Sequence, residues 1–377
     1  MEPITHFLTG ACIGRAGFNR KSAYATLAAV LAAEAADLDV LWRFAGPVEV
    51  LKHHRGITHT FIAIPVIAAA AVGATWLYHR WREHRRARRL KSAPPPEPGS
   101  PPRPQSQPVR WWWIYLAALV SSLSHILLDW TNNYGVRPFY PFNPRWYTGS
   151  FVFIAEPSFW ALLFAALIIP GILGLVEREI SSRRTLEPFR GRGWAIFALL
   201  GIFLIWAFRY TQHAQAEALV RNNPITTDPV DRIAAQPYPW NPFRWHMIVE
   251  TPGYYQFAEV NTHTGEIESD PQTDQMNKPK DTPAVESAKQ TLLGKVYLDW
   301  GRWAVVQDIG QVQVIGIDPP KLPSGRTWTT VEFTDLRFGY DFRGTGNTRP
   351  PGGLTGAVYI VDGKEEAGQE MGGREQK

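Results

Sequence analysis

The chain has 377 residues, enough for two domains, and 45% of them are hydrophobic while 19% are charged. Soluble proteins average about 25% charged residues, and many of the 16 tryptophans stand at the edges of apolar runs, which favours a membrane protein. The net charge is +5, and the single cysteine, Cys12, excludes an intrachain disulfide.

Apolar runs follow one another through the first 208 residues and predict transmembrane helices. Residues His6–Phe18 are too few to span alone and predict a re-entrant or interfacial helix. Ser22–Trp42 is a candidate span with acidic residues towards its end, and Trp194–Phe208 is a short one. Three further runs reach the roughly 17–25 residues that a bilayer requires. They are Phe61–Tyr78, Trp111–Leu128 and Pro157–Val176.

These runs could instead be buried core helices of a soluble protein. Arginine blocks and tryptophans bracket them, however, which favours the membrane. We therefore predict a mainly α fold, a polytopic bundle of four to five spans plus a short N-terminal helix, over residues 1–220. Within it, residues 92–108 are dominated by Pro, Ser and Gln and predict a disordered cytoplasmic linker.

The composition changes after Asn222, where a proline-rich linker leads into short segments of alternating polarity. These segments are rich in Val, Ile, Trp, Tyr and Thr and are broken by Gly and Pro, which is typical of a small antiparallel β domain. We place it at residues 221–365 and predict a disordered tail at 366–377. The predicted strands are Trp245–Glu250, Tyr255–Asn261, Trp303–Gln307, Val312–Ile317, Trp328–Asp335 and Ala357–Val361.

Basic residues set the predicted orientation. Arg80–Lys91 holds seven Lys and Arg in twelve positions. Such a block can bind nucleic acid, but it directly follows an apolar run, so a positive-inside signal is favoured and no nucleic-acid partner is expected. A second basic loop, Glu177–Arg192, falls on the same side when two spans separate it from the first. The β domain is then extracytoplasmic.

The same topology brings polar residues from four segments to the outer ends of the helices. Ionisable groups at membrane depth are costly and usually functional, and His with carboxylates is the usual ligand set for zinc or similar divalent ions. His125 and Asp129 are spaced i, i+4 and share a helix face. The converging residues are Glu34, Asp37, Asp39, His53, His54, His59, His125, Asp129 and Glu156.

Each of these residues also has a simple structural explanation. His125 could be hydrogen-bonded within the bundle, and Glu34 could cap a helix or pair with Arg55. Asp37 and Asp39 lie roughly 200° apart on an ideal helix, so both can serve one site only where the helix ends or unwinds. The combination nevertheless favours a metal site, with the ligands Asp37, Asp39, His54, His59, His125 and Asp129. Thr58 is a candidate N-cap for the helix after His59.

Four segments of this chain together resemble the YdjM-type family of inner-membrane metal-dependent hydrolases, which is also described as LexA-regulated. The resemblance covers roughly residues 1–215 and rests on the H-R-G-x-T-H and S-H-x-x-x-D-x-x-N-x-x-G patterns. Ala36 stands where the family usually has a proline before Asp-x-Asp. The segments are Thr5–Gly10, Ala36–Asp39, His53–Thr60 and Ser124–Gly135.

The resemblance implies a multi-pass protein of the bacterial inner membrane that hydrolyses its substrate with a metal, expected to be zinc. A distant similarity to zinc-dependent phospholipases C implies a phosphoester or lipid-like envelope substrate. His6 is a further candidate ligand, Glu34 or Glu156 a candidate general base, and Arg55, or less strongly Arg137, a candidate anion-stabilising group. Asn132 and Asn133 are candidates for positioning the substrate or shaping the turn.

Two functions without catalysis are the alternatives. The polar residues could belong to a metal-binding or transport protein and line a path through the membrane. The inner halves of the predicted spans are almost purely apolar, which argues against such a path. The chain could also be an envelope scaffold in which the metal braces the bundle and the β domain binds a partner.

Overall fold

The computed structural model describes residues 1–92, 107–180, 191–340 and 354–372, without the side chains of 177–180. The chain divides into two compact units. Residues 1–38, 55–148 and 154–207 form the first, which we call the helical unit. Residues 39–54, 149–153 and 208–377 form the second, the sheet unit.

Helices account for almost all regular structure before residue 223. The described residues of this region contain eight α-helices, a π-helical segment (Gly14–Phe18) between α1 and α2, and two 3-10 segments between α3 and α5. The helices are α1 (Pro3–Ile13), α2 (Asn19–Lys21), α3 (Ala25–Glu34), α4 (Pro47–His53), α5 (Ala63–Lys91), α6 (Trp111–Thr131), α7 (Pro157–Ile180) and α8 (Arg192–Asn222), and the 3-10 segments are Ala35–Ala45 and Ile57–His59.

Three helices of the described residues are long and apolar enough to cross a membrane, namely α6, α7 over Pro157–Val176, and α8. A fourth is added if Pro47–His59 and α5 count as one broken span. The predicted count of four to five spans is therefore not confirmed. Ser22–Trp42 is not among these helices, because α3 ends at Glu34 and the chain continues as 3-10 helix.

Small residues let α1, α3 and α6 pack closely. A Cβ atom on Gly10 of α1 would lie 2.8 Å from Ala33 Cβ and 2.9 Å from the Ala29 carbonyl oxygen, so only glycine allows this approach. Ala29 and Ala33 of α3 and Ala117 and Ala118 of α6 are all buried. This packing holds the ends of α3 and α6 together, where the polar residues lie.

The entry to α5 is capped by Thr60 rather than by Thr58, the residue predicted for that role. The Ala63 backbone N–H donates to the Thr60 hydroxyl over 3.1 Å. Because α5 begins at Ala63, its first turn lies out of reach of the residue before His59. Thr58 contacts the ring of His59 instead.

From residue 232 onwards, the described residues of the sheet unit form two antiparallel sheets and two short α-helices. One sheet has the order β1-β2-β3-β4 with β5 also paired to β3, and the other has the order β6-β7-β8-β9. The elements are β1 (Arg232–Pro237), β2 (Arg244–Glu250), β3 (Tyr254–Asn261), β4 (Glu266–Glu268), β5 (Gln275–Asn277), α9 (Pro283–Gln290), α10 (Leu292–Trp300), β6 (Ala304–Asp308), β7 (Trp328–Asp335), β8 (Thr355–Val361) and β9 (Glu365–Glu370).

Five of the six predicted strands are confirmed as β2, β3, β6, β7 and β8. The prediction of a strand at Val312–Ile317 is wrong, since that segment contains only a bridge between Val314 and Ile317. β1 lies within the predicted proline-rich linker, and β9 occupies the start of the expected tail. Most of the linker predicted at 92–108, and residues 373–377 of the tail, lie outside the described residues.

Candidate metal centre

Four of the predicted ligands come together at one end of the helical unit. They are Asp37 of the 3-10 segment after α3, His59 just before α5, and His125 and Asp129 of the last turns of α6. One ligand atom from each lies within 4.8 Å of the others. The two histidines and Asp129 have no exposed surface, so water does not compensate their polarity.

The spacing of these atoms fits a single small cation. Two ligands bound at about 2.0–2.1 Å to one tetrahedral ion stand about 3.3 Å apart. His59 Nε2 lies 3.0 Å from His125 Nε2, 3.3 Å from Asp37 Oδ1 and 3.3 Å from Asp129 Oδ2. His125 Nε2 lies 3.6 Å from Asp37 Oδ1 and 3.4 Å from Asp129 Oδ2. These five separations are close to the edge length of a tetrahedral site, and the sixth, between Asp37 and Asp129, is within 4.8 Å.

Hydrogen bonds at the opposite ring nitrogens orient both imidazoles for coordination. His125 Nδ1 lies 2.6 Å from the Ala33 carbonyl oxygen, which only accepts, so the neutral ring carries its proton on Nδ1. Its Nε2 lone pair then faces His59. The Thr58 hydroxyl, 3.0 Å from His59 Nδ1, can fix the same tautomer there. Two facing lone pairs repel each other unless a proton or a cation lies between them. Hydrogen bonds like those with Ala33 and Thr58, at the ring nitrogen away from the ion, are typical of metal-binding histidines.

The two oxygens of Asp129 have different surroundings. Oδ1 accepts from Arg55 Nη2 at 2.9 Å and also contacts the Met1 backbone nitrogen. Oδ2 faces the two imidazoles and has no hydrogen-bond partner among the described residues. A buried carboxylate oxygen without a donor is costly, and a cation at this point would satisfy it. The residues present therefore fit a divalent metal.

Arg55 is a buried part of this framework. Its guanidinium donates to Asn132 Oδ1 at 3.2 Å and to the Gly135 carbonyl at 2.9 Å, and it stacks over Tyr134 at 4.7 Å. Gly135 has a φ of +88°, and a Cβ there would lie 2.5 Å from Thr148 Cγ2. The turn after α6 thus requires glycine at this position, and it presents the carbonyl that Arg55 binds. Asn132 Oδ1 accepts from the backbone N–H groups of Tyr134 at 2.9 Å and Gly135 at 3.3 Å, which fits the second of the two roles predicted for it, shaping the turn.

His6 lies beside the four ligands. Its ring stacks on His125 with 3.7 Å between centroids, and its Nε2 lies 3.4 Å from Asp129 Oδ1. Neither ring nitrogen has a hydrogen-bond partner within the described part of the chain. The structure therefore places His6 against the ligands, on the Arg55 side of Asp129.

Asp39 and His54 are not in the group of four. His54 Nδ1 lies 3.0 Å from Asp39 Oδ1, so the structure pairs the two residues with each other, and both belong to the sheet unit. The 3-10 helix turns by about 120° per residue. Asp37 and Asp39 therefore still point in different directions although the α-helix has ended, and Asp37 is the one that belongs to the group of four.

The two candidate bases have different environments. Glu34 ends α3 and is half-buried, and its Oε1 has no hydrogen-bond partner in the described ranges. The negative charge of Asp37 acts on it. Glu156 is buried at the start of α7, where its Oε1 accepts from the Ser158 hydroxyl at 2.8 Å and its carbonyl accepts from the Phe159 N–H at 3.1 Å. Glu156 therefore stands just before the first residue of α7, and its carboxylate is hydrogen-bonded within that first turn.

The Ala33 carbonyl is the functional group that sequence reasoning missed. Its position in the last turn of α3 gives the only available signal, since the last carbonyls of a helix lack intrahelical donors. A ligand histidine one helix away can supply that donor. Arg137 was predicted as a weaker anion-stabilising group, and its guanidinium lies over the rings of Trp146 and Tyr140 at 4.5 and 5.1 Å.

The comparison with protein families agrees with the motifs at this site. The model of the YdjM inner membrane protein family matches residues 1–216. The chain belongs to this family. The match covers all four converging ligands and ends near the close of α8, before the strands begin. No curated protein and no solved structure shows significant similarity to the chain.

Membership confirms the predicted resemblance and, together with the apolar helices, identifies a membrane protein. The sheet unit from β1 onwards lies beyond the matched region.

Proposed function

We propose that the chain is a metal-dependent hydrolase of the bacterial inner membrane, with its site at the outer face. The observation that carries the proposal is the convergence of four ligand atoms from Asp37, His59, His125 and Asp129, the last three of which are fully buried. Two imidazoles and two carboxylates suit zinc among the common divalent ions. When bound, such an ion supplies the Lewis acidity that activates water and polarises a scissile bond.

Residues around the ligands supply the remaining functions. Arg55 holds Asp129 through Oδ1 and leaves Oδ2 directed at the imidazoles. Ala33 and Thr58 hold the two rings from behind. Glu34 has a carboxylate oxygen without a hydrogen-bond partner among described residues, which supports it as the general base.

The substrate class follows from the position of the site and from the family resemblance. The ligands stand at the ends of α3, α5 and α6 rather than midway along them. The basic segments at Arg80–Arg110 and Glu177–Arg192 put these ends on the outer side by the positive-inside rule. A phosphoester or lipid-like molecule of the envelope has direct access there.

The experiment uses the purified full-length chain with added zinc. Hydrolysis of phospholipids in mixed micelles and of a soluble phosphodiester is measured for the wild type, His59→Ala and Asp129→Asn. His84→Ala is the matched control, because His84 is an exposed histidine of α5. We expect turnover in the wild type and the control, and a loss of turnover of at least roughly 100-fold in the two ligand variants. Removing a metal ligand should have a larger effect than removing a residue that only orients one.

Bound zinc without turnover on either substrate class would reject the hydrolase and leave a metal-binding or transport protein. Equal turnover in all four proteins would assign any hydrolysis to a contaminant.

A further inference from the structure

An uncharged loop in the sheet unit exposes a tryptophan. The loop runs from Pro237 to Phe243, contains three prolines and carries no charged side chain. Trp240 at its tip is 76% exposed and has a φ of +66°, a conformation that a bulky residue rarely adopts. An indole held in this way exposes a large apolar surface to water unless something covers it.

The loop is fixed to α8 at the point where the apolar stretch of that helix ends. Arg209 Nη1 donates to the carbonyls of Tyr238 and Asn241 at 3.1 and 3.4 Å, one on each side of the tip. The ring of Phe243 packs edge-on against Phe208 at 5.6 Å. Arg209 is buried by these contacts. The loop is therefore at the level of residues 208 and 209 of the helix.

Helix geometry places that level at the membrane boundary. Between Arg192 and Arg209 the helix has 16 uncharged residues, which rise about 24 Å at 1.5 Å per residue. The hydrocarbon core of a bilayer is about 30 Å thick. Because the uncharged stretch is shorter than this, Arg209 lies no farther out than the membrane–water interface. Side chains on a helix also tilt towards its N-terminus, which here is the membrane side. The two carbonyls that Arg209 binds therefore also lie towards the membrane.

We propose that the loop Pro237–Phe243 lies in the headgroup region of the bilayer that α8 crosses, with Trp240 as its inserted side chain. The occupant of this surface is the phospholipid bilayer itself. Tryptophan settles at the membrane–water interface because its ring is apolar and its N–H remains hydrogen-bonded. The sheet unit then contacts the membrane at two points, α8 and the Trp240 loop.

The test compares two labelled positions in the full chain, reconstituted in phosphatidylcholine–phosphatidylglycerol nanodiscs. Trp240→Cys and Arg221→Cys are each labelled with an environment-sensitive NBD fluorophore. Arg221 is exposed on the same helix, 12 residues beyond Arg209 and so about 18 Å further along the axis. Native Cys12 has no exposed surface, and the labelled wild type measures its background.

We expect blue-shifted emission at position 240, and quenching by lipids with a headgroup nitroxide at least threefold stronger than at position 221. Equal quenching at the two positions, or emission at 240 typical of water, would overturn the proposal. If Trp240→Cys does not fold, Asn241→Cys samples the neighbouring exposed position with the indole in place, and the same outcomes decide.

Discussion

Each unit of this protein contains a buried aspartate beside a buried arginine, and the two pairs differ in what remains unsatisfied. In the sheet unit, Arg337 donates to both oxygens of Asp335 at 2.8 Å, and the Trp303 N–H adds a third donor at 3.3 Å. In the helical unit, Arg55 binds one oxygen of Asp129, and the other is directed at two imidazoles. A paired carboxylate braces a fold, whereas a buried carboxylate left open on one side is arranged for a ligand.

The largest expected effect is a loss of stability when the Asp335–Arg337 pair is broken. Asp335→Ala leaves the Arg337 guanidinium buried without its partner, and we expect it to lower the free energy of unfolding by about 3–5 kcal/mol. Thermal unfolding of the full chain, with Asp362→Ala as an exposed control on the same sheet, measures the loss. The Asp335→Ala protein that remains folded should bind as much metal as the wild type. A loss of bound metal would contradict the view that Asp335 serves the fold and Asp129 serves the metal.

Arg55→Gln tests whether this arginine orients Asp129 or binds the substrate. If it orients Asp129, the affinity for zinc falls by roughly 10–100-fold, as for other residues that hold a metal ligand by hydrogen bonds. If it binds the substrate, KM rises while zinc affinity stays unchanged. We expect the first result, because its described contacts include Asp129 and Asn132. Isothermal titration with zinc, run beside substrate kinetics, separates the two.

Thr58→Val should have a smaller effect at the same site. The substitution keeps the side-chain shape but removes the hydroxyl 3.0 Å from His59 Nδ1. We expect zinc affinity to fall by about 10-fold, the smaller end of the range for residues that orient a metal ligand. Thr60→Val is the matched control, since that hydroxyl caps α5. Thr60→Val should mainly reduce the thermal stability, and Thr58→Val should mainly reduce the zinc affinity. The reverse pattern would show that Thr58 does not orient His59.

The smallest effect concerns an ion pair of the sheet unit. Burial raises the pKa of the Glu250 carboxyl, but hydrogen bonds from Lys278 and Arg232 outweigh it, and the pKa lies below its ordinary value. A lowered folded pKa adds stability above the unfolded pKa, and this is lost as the pH falls through the folded value. Glu250→Gln should therefore cost up to about 1 kcal/mol at pH 7, and the difference should vanish in strong acid. Denaturant titrations at several pH values would show a constant gap if this is incorrect.

The four converging ligands were predictable because the topology brings His and Asp residues from separate segments to the same ends of the apolar helices. The partner of Asp39 was not, since the pairing with His54 depends on how the 3-10 segment turns. Sequence patterns found the strands with regular alternation, but β1 was missed among prolines. The helix α9 was also missed, although Thr282 before Pro283 is a typical helix start and its hydroxyl accepts from the Val285 N–H.

The central claim is that the open oxygen of Asp129 and its three neighbours hold a divalent cation. Elemental analysis of the purified full-length chain, before any metal is added, tests this most directly. We predict one tightly bound divalent ion per chain in the wild type and in Asp335→Ala protein that remains folded, and none in His59→Ala or Asp129→Asn. A wild-type chain that is folded, carries no divalent ion and takes up none on titration would contradict the account.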